Sequence, residues 1–114
     1  MTDNIVLAVV AHPDDEIIGP GATLAKHAER GDQVEILILA EGATSRDASR
    51  DATGRLNEIR ELQSAAQAAA RVIGAAPPRF GGLPDNRMDE QPLLDVVKIV
   101  EATVEQLRPG IVYT

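Results

Sequence analysis

The sequence predicts an α/β fold: a Rossmann-like three-layer sandwich whose parallel sheet of about four strands carries helices on both faces. Ile5 to Val10 is a continuous, β-branched-rich run with the pattern of a strand covered on both sides, and Val34 to Ala40 reads as a second buried strand. Stripes of apolar residues at helical spacing alternate with the strand-like segments along the chain. The resulting succession of strand, helix, strand, helix, strand, helix, strand is that of a parallel sheet with right-handed crossovers. Doubly wound sheets reverse direction after the third strand, which gives the order 3-2-1-4. That order sets the ends of strands 1 and 4 side by side, with His12 facing the gap beside Thr114.

The first helix starts near Pro20, within Gly19-Pro20-Gly21, because a proline at the first helical position loses no hydrogen bond. It runs to Arg30 with Leu24, Ala25 and Ala28 inward, and Gly31 supplies the stop. Val34 to Ala40 is the second strand. Glu41 to Gly54 is polar and lacks an apolar period, and connections of this length tend to be functional or disordered. Leu56, Ile59, Leu62, Ala66, Ala69 and Ile73 then mark a helix from Arg55 to Ile73, closed by Gly74. Pro77 to Leu83 holds a short strand whose prolines suit a sheet edge, and Pro84 to Glu90 is a polar turn. Pro92 opens a third helix with Leu93, Val96, Val97, Val100, Val104 and Leu107 on one stripe. Pro109 ends it, and Ile111 to Tyr113 begin the fourth strand. An aliphatic strand with an unpaired edge recruits other chains, so a homo-oligomer through strand 4 is expected.

Composition narrows the function. The 114 residues are 44% hydrophobic and 25% charged, which suits one globular domain. There is no cysteine, which removes disulfides, thiolate metal sites and cysteine nucleophiles together. A formal charge of -7 repels phosphate backbones and argues against nucleic-acid binding. The longest apolar run, Ile5 to Ala11, is too short for a membrane span, and Met-Thr-Asp-Asn lacks the basic start of a secretory leader. A cytoplasmic protein is the default expectation. Aromatic residues make up 2%, so the core is built from Val, Ile, Leu and Ala. A chain of this size hides only about 65% of its unfolded surface on folding, which raises the question of a longer parent protein.

Chemistry concentrates in Ala11-His12-Pro13-Asp14-Asp15-Glu16, directly after the first buried strand. Open parallel sheets bind ligands at the carboxyl ends of their strands, near the point where strand order reverses. Crowded carboxylates raise one another's pKa values, and a divalent cation relieves that strain. Imidazole and carboxylate together suit Zn²⁺, and Pro13 stiffens the turn between them. The alternative is an acidic cap for the following helix. Capping accounts for one or two carboxylates but asks for neither the histidine nor the proline.

At this motif the chain resembles the PIG-L, or LmbE-like, zinc-dependent N-acetylglucosamine deacetylases. Gly19-Pro-Gly-Ala-Thr-Leu-Ala-Lys-His27 is similar to the family's glycine-rich helix entry, and Glu41-Gly-Ala-Thr-Ser-Arg46 to the loop after its second strand. Leu83-Pro-Asp-Asn-Arg-Met-Asp89 and Arg108-Pro-Gly-Ile-Val-Tyr-Thr114 resemble later segments of a bacterial branch. The resemblance implies that His12 and Asp15 ligate Zn²⁺, or another divalent metal, and that Asp14 is the general base on metal-bound water. It implies removal of an acetyl group from a small-molecule N-acetylated amino-sugar conjugate. The family takes a third ligand, a histidine, from the loop after its fourth strand. This chain has no histidine there, so it resembles the N-terminal part of a longer deacetylase, with an incomplete site and negligible activity alone.

Other positions carry smaller expectations. His27, midway along the first helix and about 10 Å from its start at 1.5 Å per residue, is expected on the surface. Glu16 needs no role beyond helix capping or bonding behind the ligands. Ser45, Arg46 and Arg50 either hold sugar hydroxyls or a phosphate, or belong to a solvated loop. Asp85, Asn86 and Arg87 either orient a sugar or serve the turn that Pro-Asp-Asn favours. Gly19-Pro20-Gly21 does not fit a dinucleotide fingerprint. A catalytically silent sugar- or metal-binding domain is the alternative function.

Overall fold

The computed structural model describes residues 4–40, 52–83 and 93–114. Strand β1 (Ile5–Val10) is followed by a single-turn helix α1 (Asp15–Ile18), helix α2 (Gly21–Glu29) and strand β2 (Gln33–Ala40). Helix α3 (Ala52–Ile73), strand β3 (Arg79–Leu83), helix α4 (Leu93–Leu107) and strand β4 (Ile111–Tyr113) complete the described elements. All three strand pairings are parallel, and the order is β3-β2-β1-β4, as the alternation of elements predicts.

Side chains of β1 and β2 alternate between two cores, because successive residues of a strand point to opposite faces. Val6, Ala8, Val34, Ile36 and Ile38 face Leu24 of α2 and Ala66 and Ala70 of α3. Leu7, Val9, Leu37 and Leu39 face Leu107 of α4, with Val96, Ile99, Val100 and Val104 packed against them. Helices thus cover both faces, which completes the three layers. Leu7, Leu24, Ile36 and Ile38 are fully buried, and each such side chain contributes about 1.5–3 kcal/mol of transfer free energy.

The helical stripes differ from expectation at their N-terminal ends. Leu56, Leu93 and Val97 are 46%, 77% and 42% exposed, so they are not core residues, whereas Ile99 is packed and was absent from the predicted stripe. A helix that crosses a twisted sheet diverges from it toward one end, and residues there lose their partners whatever their periodicity. Helix α3 closes on Gly74 at φ +83, where a Cβ would stand 2.9 Å from the Cβ of Ala28. Glycine there supplies both the left-handed stop and the close approach of α3 to α2. Among the described strands β3 pairs only with β2, at the edge, with a register shift between Ile38 and Ala40. Among the described residues no helix is long and apolar enough to cross a membrane.

Candidate active site at the carboxyl end of strand β1

The chain leaves β1 through Ala11, His12 and Pro13 and turns at once into α1, which the sequence pattern does not reveal because it is a single turn. The helix expected from Pro20 to Arg30 is α2, which starts at Gly21 directly after Pro20, and α1 is an additional turn before it that carries Asp15 and Glu16. Asp14 occupies the N-cap position of α1 with φ 106 and ψ -27, and its side chain makes no capping hydrogen bond. A simple capping role for Asp14 is thereby removed. The capping-type bonds run backwards instead. The His12 amide donates to Asp15 Oδ2 at 3.0 Å, and the Asp14 amide donates to Glu16 Oε1 at 2.8 Å.

These bonds hold the ionisable groups in different settings. His12 and Asp15 are half-exposed, Asp14 is exposed and Glu16 is buried. His12 Nδ1 lies 3.5 Å from Asp15 Oδ2. Two donors bound at 2.0–2.1 Å to one tetrahedral ion stand about 3.4 Å apart, so this pair fits two positions of such an ion. Among the described residues no group of three His, Cys, Asp or Glu side chains is placed to hold a metal.

Two cavities flank the motif. A cleft of about 510 Å³ is lined by Val9, Val10, Ala11, Asp15, Ile18, Gly19, Pro20 and Thr114. It joins the ends of β1 and β4 at the reversal of strand order, the place where open α/β sheets receive ligands. A second cavity of about 300 Å³ lies between the α1 region and α3, with Asp14, Glu16 and Leu62 among its walls. Ser45, Arg46, Arg50, Asp85, Asn86 and Arg87 lie outside the described residues.

His27 corrects the sequence-based expectation. It is buried, at 6% exposure, where a surface position was expected. Its Nδ1 is 2.8 Å from Asp32 Oδ2 and its Nε2 is 2.8 Å from the Tyr113 hydroxyl. Arg30 Nη2 also stands 3.1 Å from Nδ1, but a guanidinium only donates, and one ring nitrogen cannot both accept it and donate to Asp32. The shorter carboxylate contact takes the Nδ1 proton, and Arg30 faces Asp32 itself at 3.6 Å. On the opposite side of the ring, Nε2 meets the Tyr113 hydroxyl. A helical period counted in isolation misses this arrangement, because the partners come from the α2–β2 turn and from β4.

Residues 7–114 match the family described as PIG-L, GlcNAc-PI de-N-acetylase. A 1D-myo-inositol 2-acetamido-2-deoxy-alpha-D-glucopyranoside deacetylase from Rhodococcus erythropolis is 33% identical over 135 residues, which cover 96% of this chain and 44% of that protein. The chain spans less than half the length of the curated relatives it matches. Among solved structures, the N,N'-diacetylchitobiose deacetylase from Pyrococcus horikoshii superposes with a TM-score of 0.80 at 19% identity, over 96% of this chain and 39% of that one. The 4-carboxy-2-hydroxymuconate hydratase GalB from Pseudomonas putida superposes with a TM-score of 0.76 at 24% identity, over 96% and 45%. At these identities the two likenesses show the fold, and a hydratase among them separates fold from reaction.

Proposed function

The chain belongs to the PIG-L, GlcNAc-PI de-N-acetylase family, and from that premise we propose that it is the N-terminal portion of a metal-dependent hydrolase that removes the acetyl group from an N-acetylglucosamine-like sugar conjugate. The observation that carries the reading is the convergence of His12 and Asp15 beside an exposed Asp14 at the end of β1. The Rhodococcus relative, a deacetylase of a 2-acetamido-2-deoxy-glucopyranoside, supports it.

His12 and Asp15 would hold Zn²⁺ or another divalent cation, which when bound supplies Lewis acidity toward the acetamide carbonyl. The backbone of His12 bonded to Asp15 keeps the two donors in register. Asp14 accepts a proton from the attacking water and returns it to the nitrogen as the carbon–nitrogen bond breaks, giving acetate and the free amine. The cleft between β1 and β4 receives the sugar, and Ser45, Arg46, Asp85 and Asn86 are proposed to bind its hydroxyls. His12 and Asp15 give two protein donors among the described residues, fewer than the three of a catalytic zinc site, so weak Zn²⁺ binding and little acetate release are proposed for the 114-residue chain alone. A cytoplasmic location is proposed on the acidic composition.

Acetate release from N-acetylglucosamine conjugates, measured with the metal content of this chain and of a longer natural chain containing it, tests the reading. Turnover by the longer chain that disappears in Asp14→Ala supports it. Sugar or metal binding without acetate release establishes the silent binding domain instead.

A further inference from the structure

Glu16 has no part in the chemistry assigned to His12, Asp14 and Asp15, yet it is the one buried residue of the four, at 1% exposure. A buried carboxylate is costly unless its oxygens are bonded. Glu16 Oε1 accepts the Asp14 amide hydrogen at 2.8 Å, and Oε2 finds no donor among the described residues. The bond from Oε1 is spent on the backbone two residues before it. That backbone is strained. Asp14 stands at φ 106, where residues other than glycine persist only if their surroundings hold them.

The other side of Asp14 is secured by α1. The amides of Ile17 and Ile18 both donate to the Asp14 carbonyl at 2.9 Å. The carbonyl is therefore anchored by the helix, whereas the amide is anchored by Glu16. Releasing the amide lets φ relax toward negative values, which rotates the Asp14 side chain about its own backbone. A carboxylate that must meet a water and an acetamide carbonyl loses its alignment in that rotation.

We propose that Glu16 is a positioning residue whose buried carboxylate, by accepting the Asp14 amide hydrogen, holds Asp14 in the left-handed conformation that aims its carboxylate at the substrate. The proposal rests on the reading of Asp14 as general base. It assigns Glu16 no contact with substrate or metal.

The test uses the longer natural chain containing these residues. Glu16→Met removes the acceptor at similar length, and Glu16→Gln keeps one. In Glu16→Met, kcat for acetate release falls about 10- to 100-fold, the loss expected of a catalytic group displaced by about 1 Å, while KM and Zn²⁺ affinity stay unchanged. Glu16→Gln recovers most of kcat. In the wild-type protein, amide exchange followed by NMR shows the Asp14 N–H protected, and in Glu16→Met it is released. A wild-type Asp14 amide that exchanges freely overturns the proposal, and this measurement needs no variant to fold. Full kcat in a folded Glu16→Met, or a Glu16→Gln as impaired as Glu16→Met, overturns it as well. Undiminished turnover in Asp14→Ala refutes the general-base reading itself and leaves the amide-exchange result standing as a separate outcome.

Discussion

The imidazole of His27 and the phenol of Tyr113, 86 positions apart in the sequence, meet through a 2.8 Å hydrogen bond between Nε2 and the hydroxyl oxygen. It ties the last described strand to α2, and Asp32 holds the far side of the ring at 2.8 Å. Tyr113→Phe deletes one partly buried bond and is expected to cost about 1 kcal/mol. His27→Ala leaves the buried Asp32 without its imidazole and is expected to cost about 3 kcal/mol. Urea unfolding of the two variants checks the ranking, and equal losses would show that the Asp32 contact contributes nothing.

Asp14 occupies a backbone conformation that glycine adopts freely, while glycine has no carboxylate. Asp14→Gly is therefore expected to raise the unfolding free energy by up to about 1 kcal/mol. In a longer chain with the proposed activity the same change is expected to abolish acetate release. Denaturant midpoints and initial rates measured on one preparation decide this, and a destabilised Asp14→Gly would mean that the side chain contributes more to folding than the strain costs.

Removing either proposed ligand has a different signature from removing the base. His12→Ala and Asp15→Ala are expected to weaken Zn²⁺ binding at least about tenfold, a typical loss when a metal site is disrupted. Asp14→Ala leaves binding intact. Calorimetric titration of Zn²⁺ into each variant separates the roles.

Gly74→Ala places a Cβ 2.9 Å from Ala28 at a residue with φ +83. Steric overlap and left-handed strain act together, and a loss of about 2 kcal/mol or more is expected. Thermal unfolding checks it, and a neutral Gly74→Ala would require α2 and α3 to separate without cost.

Ile111 and Val112 are 38% and 46% exposed on β4, which pairs only with β1 among the described strands. Concentration-dependent self-association through this edge is expected of the 114-residue chain, and Val112→Lys should reduce it. Light scattering across a concentration series measures both, and a monomer at all concentrations contradicts the expectation.

Much of the architecture was legible because it rests on local pattern. Ile5 to Val10 and Val34 to Ala40 read as buried strands, and both lie between helices in the structure. The strand order followed from the general reversal of doubly wound sheets. Features set by pairs of distant residues or by single turns were not legible. Helix α1 is too short to show a period, and the Asp14 backbone conformation has no compositional mark. His27 looked like a surface residue because nothing in its own helix announces Asp32 or Tyr113. At the candidate site, the histidine and carboxylates were recognisable as a group. The bond from the Asp14 amide to the Glu16 carboxylate was not, because it depends on the backbone conformation.

The position of β1 at the centre of the sheet also orders the events of folding. Its pairing with β2 joins Ile5 to Gln33, residues 28 apart, whereas its pairing with β4 joins Val6 to Ile111, residues 105 apart. Closing the longer loop costs about 1 kcal/mol more chain entropy, and on a ribosome it must also wait for most of the chain to be made. The β1–β2 hairpinless pair and its crossover helix can therefore assemble while one flank of β1 is still bare. The cleft lined by Ala11 and Asp15 is bounded on that flank by Thr114, just beyond β4. The cleft is thus a late product of folding, and a nascent chain carries the segment from His12 to Glu16 well before both walls of the cleft are in place.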